Sequence, residues 1–113
     1  MPHIILEYAD DAATEGEIVR LLHDVHDALK KTDIFHEQNI KIRAVPVTQY
    51  LVGGKKEQFV HVQLRIKPGR TQRIKKKLSQ EVLSVVSAGI QVIGVITVEV
   101  VDMDAESYAK KQF

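Results

Sequence analysis

The sequence runs twice through one pattern, an apolar strand, an amphipathic helix and a second strand, and that repetition sharply limits the folds open to it. The first unit begins almost at the first residue. Ile4-Ile5-Leu6 is apolar and β-favouring, so a buried strand is expected over about His3–Tyr8. Pro2 suits the start of such a strand because it has no N–H to give to a ladder. Asp10-Asp11-Ala12-Ala13 reads as a loop. Thr14 then stands three residues before Glu17, the spacing of a capping box. Ile18, Leu21, Leu22, Val25 and Leu29 follow at helical intervals, and Lys30-Lys31 suits the negative end of the helix dipole. Thr32 to Asn39 is a connection whose apolar pair, Ile34-Phe35, is expected to tuck under the sheet. A second strand over Ile40–Val47 places Lys41 and Arg43 on one face, with Ile40 and Ile42 on the other. Pro46 confines this strand to an edge or a bulge.

Gly53-Gly54-Lys55-Lys56 marks a turn before the second unit. Phe59–Ile66 alternates cleanly, with Phe59, His61, Gln63 and Arg65 facing one way and Val60, Val62, Leu64 and Ile66 the other. Lys67-Pro68-Gly69-Arg70-Thr71 is a turn, and Thr71 is a candidate N-cap. Ile74, Leu78, Val82, Val85, Val86 and Gly89 trace the apolar face of a second helix. Val95–Val101 is β-branched at most positions and reads as the fourth strand. Asp102–Phe113 is a polar tail, in which Ala105–Lys111 is expected to form one or two helical turns.

Parallel strands joined through a helix take a right-handed crossover. Two such units side by side give an α+β fold, a four-stranded mixed sheet with both helices on one face. Residues 1–113 are expected to form a single domain. The other sheet face is left bare. Its apolar strand residues then need a partner, and another subunit is the natural candidate.

Several classes drop out. The chain has no Cys, hence no disulfide framework or thiolate chemistry. No basic region followed by an apolar signal segment opens the sequence, and no apolar run approaches the ~18 residues of a membrane span, so a cytoplasmic location without membrane contact is expected. The net charge of +1 says little, but the charges are unevenly placed. Asp10, Asp11, Glu15 and Glu17 cluster in one stretch, and Arg65, Lys67, Arg70, Arg73, Lys75, Lys76 and Lys77 in another. His23 and His26 lie three apart on the first helix, but no third ligand has a persuasive spacing, so no metal site is expected. His61 reads as a hydrogen-bonded structural residue.

Pro2 carries the chemical interest. Once Met1 is removed, its nitrogen becomes a secondary amine on a rigid ring, fixed to a strand at the edge of a core. Burial or nearby cations lower the pKa of such an amine towards neutrality, where it can move protons. With Met1 retained, the same nitrogen is an amide and has no basicity.

Met1-Pro2-His3-Ile4-Ile5-Leu6-Glu7-Tyr8, the Ile34-Phe35 pair, Phe59-Val60-His61 and Gly69-Arg70 together resemble the 5-carboxymethyl-2-hydroxymuconate isomerases of the tautomerase superfamily. The likeness covers nearly the whole chain in order and spacing. It implies a homotrimer whose sheets form a central barrel-like core. It also implies cofactor-free proton transfer along a conjugated dienol carboxylate, with Pro2 as acid/base and Arg70 as the catalytic arginine after the third strand. Ile40-Lys41 stands where these isomerases typically carry Ile-Arg, so Lys41 and Arg43 are the candidate substrate-binding residues. Lys is a point charge without the bidentate fork of Arg, and Arg43 is placed to supply the missing guanidinium.

Two other classes stay open on the sequence. One is a non-enzymatic anion or nucleic-acid binder, for which the cations of residues 65–77 are the evidence. An RNA-binding sheet normally offers stacking aromatics on its central strands, and no strand here is aromatic-rich. The other is a trimeric tautomerase-like protein without catalysis, which retention of Met1 or the loss of an arginine at Lys41 would favour.

Overall fold

Alternation decides which side of each strand meets the helices. A computed structural model describes residues 1–113. Its elements are β1 (His3–Ala9), α1 (Glu15–Lys31), a 3-10 turn (Glu37–Asn39), β2 (Lys41–Val47), β3 (Gln58–Ile66), α2 (Gln72–Gly89) and β4 (Gly94–Asp102). The sheet order is β2-β1-β3-β4. β1 pairs parallel with β2 and antiparallel with β3, and β3 pairs parallel with β4. The expected mixed sheet of two β-α-β units is therefore present, and Pro46 lies on an edge strand, where it interrupts no interior ladder.

Ile4 and Leu6 of β1 and Val60, Val62, Leu64 and Ile66 of β3 are fully buried against the helices. Ile18, Leu21, Val25 and Leu29 of α1 and Leu78, Val82 and Val86 of α2 close the same cluster of 16 residues. Full burial of each large aliphatic side chain contributes about 1.5–3 kcal/mol. Both helices begin on the expected threonines. Thr14 N donates to Glu17 Oε1 at 3.0 Å while Glu17 N donates to Thr14 Oγ1 at 3.2 Å. Ile74 N donates to Thr71 Oγ1 at 3.2 Å. Gly53 and Gly54 both have positive φ, 59° and 78°, in a two-residue turn bridged by Val52 and Lys55.

Three features add detail to the sequence reading. The bare sheet face is more polar than a face awaiting only apolar contact. The matched rows of the ladder place His3, Glu7, Lys41, Arg43, His61, Gln63, Arg65, Thr97 and Glu99 there, with Ile5, Val45, Phe59, Val95 and Val101 among them. The tail forms a single turn after Asp104, closed by Tyr108 N donating to the Asp104 carbonyl at 3.2 Å, and no longer helix. Asp104 caps that turn, its carboxylate accepting from Glu106 N at 3.2 Å and Ser107 Oγ at 2.7 Å. The basic run does not make one patch. Arg65 lies on the bare face, Lys75 pairs with Asp102 at 3.1 Å, and Arg73, Lys76 and Lys77 are exposed on α2.

Gly94 has a spatial reason to be glycine, since a Cβ there would overlap the carbonyl of Gln58, its partner in the β3–β4 ladder. Gly94→Ala is expected to lower unfolding stability by about 1–3 kcal/mol, the usual cost of overpacking, in urea melts. Gly16, inside α1 with open space around its Cβ position, gives the opposite sign. Gly16→Ala is expected to raise stability by about 0.5–1 kcal/mol.

Candidate active site

The start of the chain is pinned before β1 begins. Lys41 N donates to the Pro2 carbonyl at 3.1 Å, continuing the β1–β2 ladder by one step, and Pro2 is itself buried. The terminal nitrogen therefore has a fixed address at one end of the sheet. Beside it opens a cleft of about 300 Å³ lined by Met1, Ile34, Phe35, His36, Asn39, Lys67, Arg70, Tyr108 and Lys110. No carboxylate side chain lines it, whereas two lysines and an arginine do. A concave site with one sign of charge concentrates ions of the other sign, here anions.

The terminal amine, carried by Met1, has its pKa lowered from the ordinary value of 8.0. Burial is the main cause, followed by the charges of Lys41, Lys110 and Lys67, each of which disfavours a second cation. Lys41 Nζ donates to the Asn39 carbonyl at 3.1 Å, which holds the ammonium close to the chain terminus.

Arg70 reaches the cleft from the turn between β3 and α2. Gly69 before it has φ 111°, a conformation that glycine adopts readily, and Thr71 after it caps α2. The guanidinium stacks on Phe35, Cζ to ring centroid 5.3 Å, and Nη2 donates to the Ile34 carbonyl at 3.4 Å. The Ile34-Phe35 pair, half-buried against the core edge, thus orients an arginine as well as packing under the sheet. Arg70 Nε is buried with no hydrogen-bond partner. A buried donor left unpaired costs about 1–3 kcal/mol.

Of the residues singled out in the sequence, Pro2, Lys41 and Arg70 gather around this end of the sheet. Arg43 does not line the cleft. It stands one row further along β2, opposite Ile5, and its Nη1 donates to His3 Nδ1 at 3.3 Å. His61 lies elsewhere on the bare face, bonded to Thr97 Oγ1 at 2.6 Å and Glu99 Oε2 at 2.7 Å. His26 meets Glu37 at 3.3 Å, and no three His, Asp or Glu residues are grouped to hold a metal ion. Sequence reasoning missed His3, Tyr108 and Lys110. The available signal was topological. A β4 parallel to β3 must end beside Ile66, and Met103 N indeed donates to Ile66 O at 2.8 Å. A tail leaving from that point passes the turn that carries Lys67 and Arg70.

The sequence pattern that defines the family described as 5-carboxymethyl-2-hydroxymuconate isomerase matches residues 2–110. No curated protein matches the chain. Among solved structures, a 5-carboxymethyl-2-hydroxymuconate isomerase from Deinococcus radiodurans R1 is 28% identical, with TM-score 0.84 over 99% of this chain and 90% of that one. A 5-carboxymethyl-2-hydroxymuconate delta-isomerase is 16% identical, with TM-score 0.73 over 100% of this chain and 89% of that one. A fused 4-OT wild-type symmetric trimer is 17% identical, with TM-score 0.79 over 89% of this chain and 85% of that one. The last two likenesses bear on the fold, which is that of the tautomerases.

His3 offers a direct check on the electrostatics of this region. Its pKa is lowered from 6.5 by burial first, then by Arg43, Lys41, the terminal amine and Arg65. The folded protein therefore binds its proton less readily than the unfolded chain. The His3 contribution to stability is complete above about pH 6.5 and is lost as pH falls from there through the folded pKa. An NMR titration is expected to place His3 below 6.5, and Arg43→Gln is expected to move it upward.

Proposed function

The chain belongs to the 5-carboxymethyl-2-hydroxymuconate isomerase family, and from that premise we propose that it is a cofactor-independent isomerase of conjugated dienol carboxylates, working through Pro2 after removal of Met1. The observation that carries this reading is the convergence of the chain terminus with Lys67, Lys110 and Arg70 on one cleft, with Lys41 beside the amine. Deprotonating an enol or the carbon beside a carbonyl needs a base poised near the working pH and an acceptor for the developing negative charge.

Without Met1, the Pro2 nitrogen takes over the position of a terminal amine among Lys41, Lys67 and Lys110. Those ammonium groups hold it neutral and able to accept a proton. It removes the proton from the enol oxygen, the C=O bond forms as the double bonds shift along the chain, and the proton returns to the far carbon. One proton moves, no electron is gained or lost, and the amine is regenerated. Arg70 stabilises the oxyanion or holds a carboxylate, its guanidinium held at the cleft by Phe35 and Ile34. Lys41 acts beside the amine, and Arg43 reaches the site through His3 alone. The same cations that bind a polyanionic substrate tune the base.

The proposal includes a homotrimer. Several structures of the same fold are described as trimers. β2 and β4 present open sheet edges, and Val45 and Val95 on them are each 41% exposed. No helix is long and apolar enough to cross a membrane, and a cytoplasmic location belongs to the same reading. The division of the basic run among three places gives a nucleic-acid backbone no continuous track.

Enol–keto conversion of phenylpyruvate and isomerisation of 5-carboxymethyl-2-hydroxymuconate, followed by absorbance, test the reading. Protein lacking Met1 is expected to turn over at least one of them. Retention of Met1, which makes the Pro2 nitrogen an amide, is expected to lower kcat/KM by about 10²–10⁴ and Arg70→Ala by about 10²–10³. Full activity in protein that retains Met1, where the nitrogen at position 2 is an amide, would exclude the terminal amine as the base.

A further inference from the structure

The C-terminal segment lies outside every regular element, yet it sends Tyr108 and Lys110 into the cleft. Its path is fixed. Met103 is buried and bonded to Ile66, Asp104 holds the turn through Glu106 N and Ser107 Oγ, and Tyr108 N donates to Asp104 O at 3.2 Å. The tyrosine ring packs edge-on against His3, with ring centroids 5.9 Å apart and planes at 66°. Its hydroxyl lies 3.0 Å from His3 Nε2.

The direction of that last bond follows from the other side of the imidazole. Arg43 Nη1 faces His3 Nδ1 at 3.3 Å, and a guanidinium can only donate. Nδ1 must accept, so the ring proton of the neutral imidazole sits on Nε2. Nε2 then donates to the Tyr108 oxygen. The hydroxyl spends an acceptor lone pair on His3 and keeps its own proton to give elsewhere. The groups facing His3 are Arg43 and Lys41 on β2, Arg65 on β3 and the terminal amine, all cations that oppose protonation of the ring.

We propose that Tyr108 is a substrate-contacting residue, an O–H donor to a carboxylate or enolate oxygen in the cleft, and that His3 is the positioning residue that keeps its hydroxyl proton free. This role rests on the reading of the cleft as an isomerase site. It extends that site from cations to a neutral, directional donor, which selects for an oxygen at one defined position of the ligand. Arg43 gains a purpose here as well. It fixes the tautomer of His3 rather than touching the substrate.

The test uses full-length protein lacking Met1 and cis,cis-muconate, a conjugated dicarboxylate without an enol hydroxyl, titrated by calorimetry. Tyr108→Phe keeps the ring contact and removes the donor, and is expected to weaken binding about tenfold with an unchanged melting temperature. His3→Leu is expected to weaken it similarly. His3→Gln is expected to restore binding to within about threefold of the unaltered protein, because an amide can accept from Arg43 and donate to Tyr108 together. If His3→Leu does not fold, Tyr108→Phe and His3→Gln decide the matter. Unchanged muconate affinity in Tyr108→Phe, or no muconate binding by the unaltered protein, overturns the role of Tyr108. Turnover of phenylpyruvate or of 5-carboxymethyl-2-hydroxymuconate reads the isomerase assignment separately. Turnover with unchanged muconate affinity in Tyr108→Phe overturns the tyrosine role alone. Muconate binding that depends on Tyr108 in a protein with no turnover upholds the contact and removes the isomerase assignment.

Discussion

β1 is hydrogen-bonded on both sides, and most of what gives this protein a site follows from that one constraint. Its pairing with β2 and β3 makes it an interior strand from His3 onward, and the Lys41–Pro2 bond extends the restraint to the residue before it. A chain terminus ordinarily frays. Here it is held at the sheet end, where the start of β2, the turn after β3 and the tail after β4 all arrive. Those three segments bring Lys41, Lys67, Arg70 and Lys110. The lowered basicity of the terminal amine is therefore a consequence of topology: a parallel neighbour on one side and an antiparallel one on the other place several loop ends together.

Such a gathering of like charge is unfavourable without a partner. The fold tolerates it because the cleft is open to water and because the arginine is propped by an aromatic face and a carbonyl. Sixteen buried residues on the opposite side of the sheet supply stability that does not depend on the site. The polar face of the sheet follows the same separation. Its histidine–glutamate and histidine–threonine contacts satisfy side chains that a purely apolar interface would leave unpaired. A subunit interface on this face would have to accommodate polar groups as well as Ile5 and Phe59.

The order of elements, both capped helix starts, the glycine turn and the buried parity of β3 were legible in the sequence, because each rests on local periodicity or on a cap. Pro2, Lys41 and Arg70 were legible as candidates through residue type and family likeness. The remainder depended on distance in three dimensions. Alternation put Lys41 and Arg43 on one face correctly, but it could not say that one residue pair along the ladder separates a group beside the terminus from a group behind His3. Composition allowed one or two helical turns in the polar tail, and the structure has one, capped by Asp104 through Glu106 and Ser107. Tyr108 could not be found by pattern at all, since its contact with His3 spans 105 positions.

The central claim is that the sheet end makes the terminal proline nitrogen a neutral base at physiological pH. The most direct measurement is a ¹⁵N NMR titration of Pro2 in protein from which Met1 has been removed. The account predicts a pKa below the ordinary α-amino range of about 7.7–8.0 and a rise when Lys41 is replaced by Met. A Pro2 pKa at or above that range, unmoved by Lys41→Met, would contradict it.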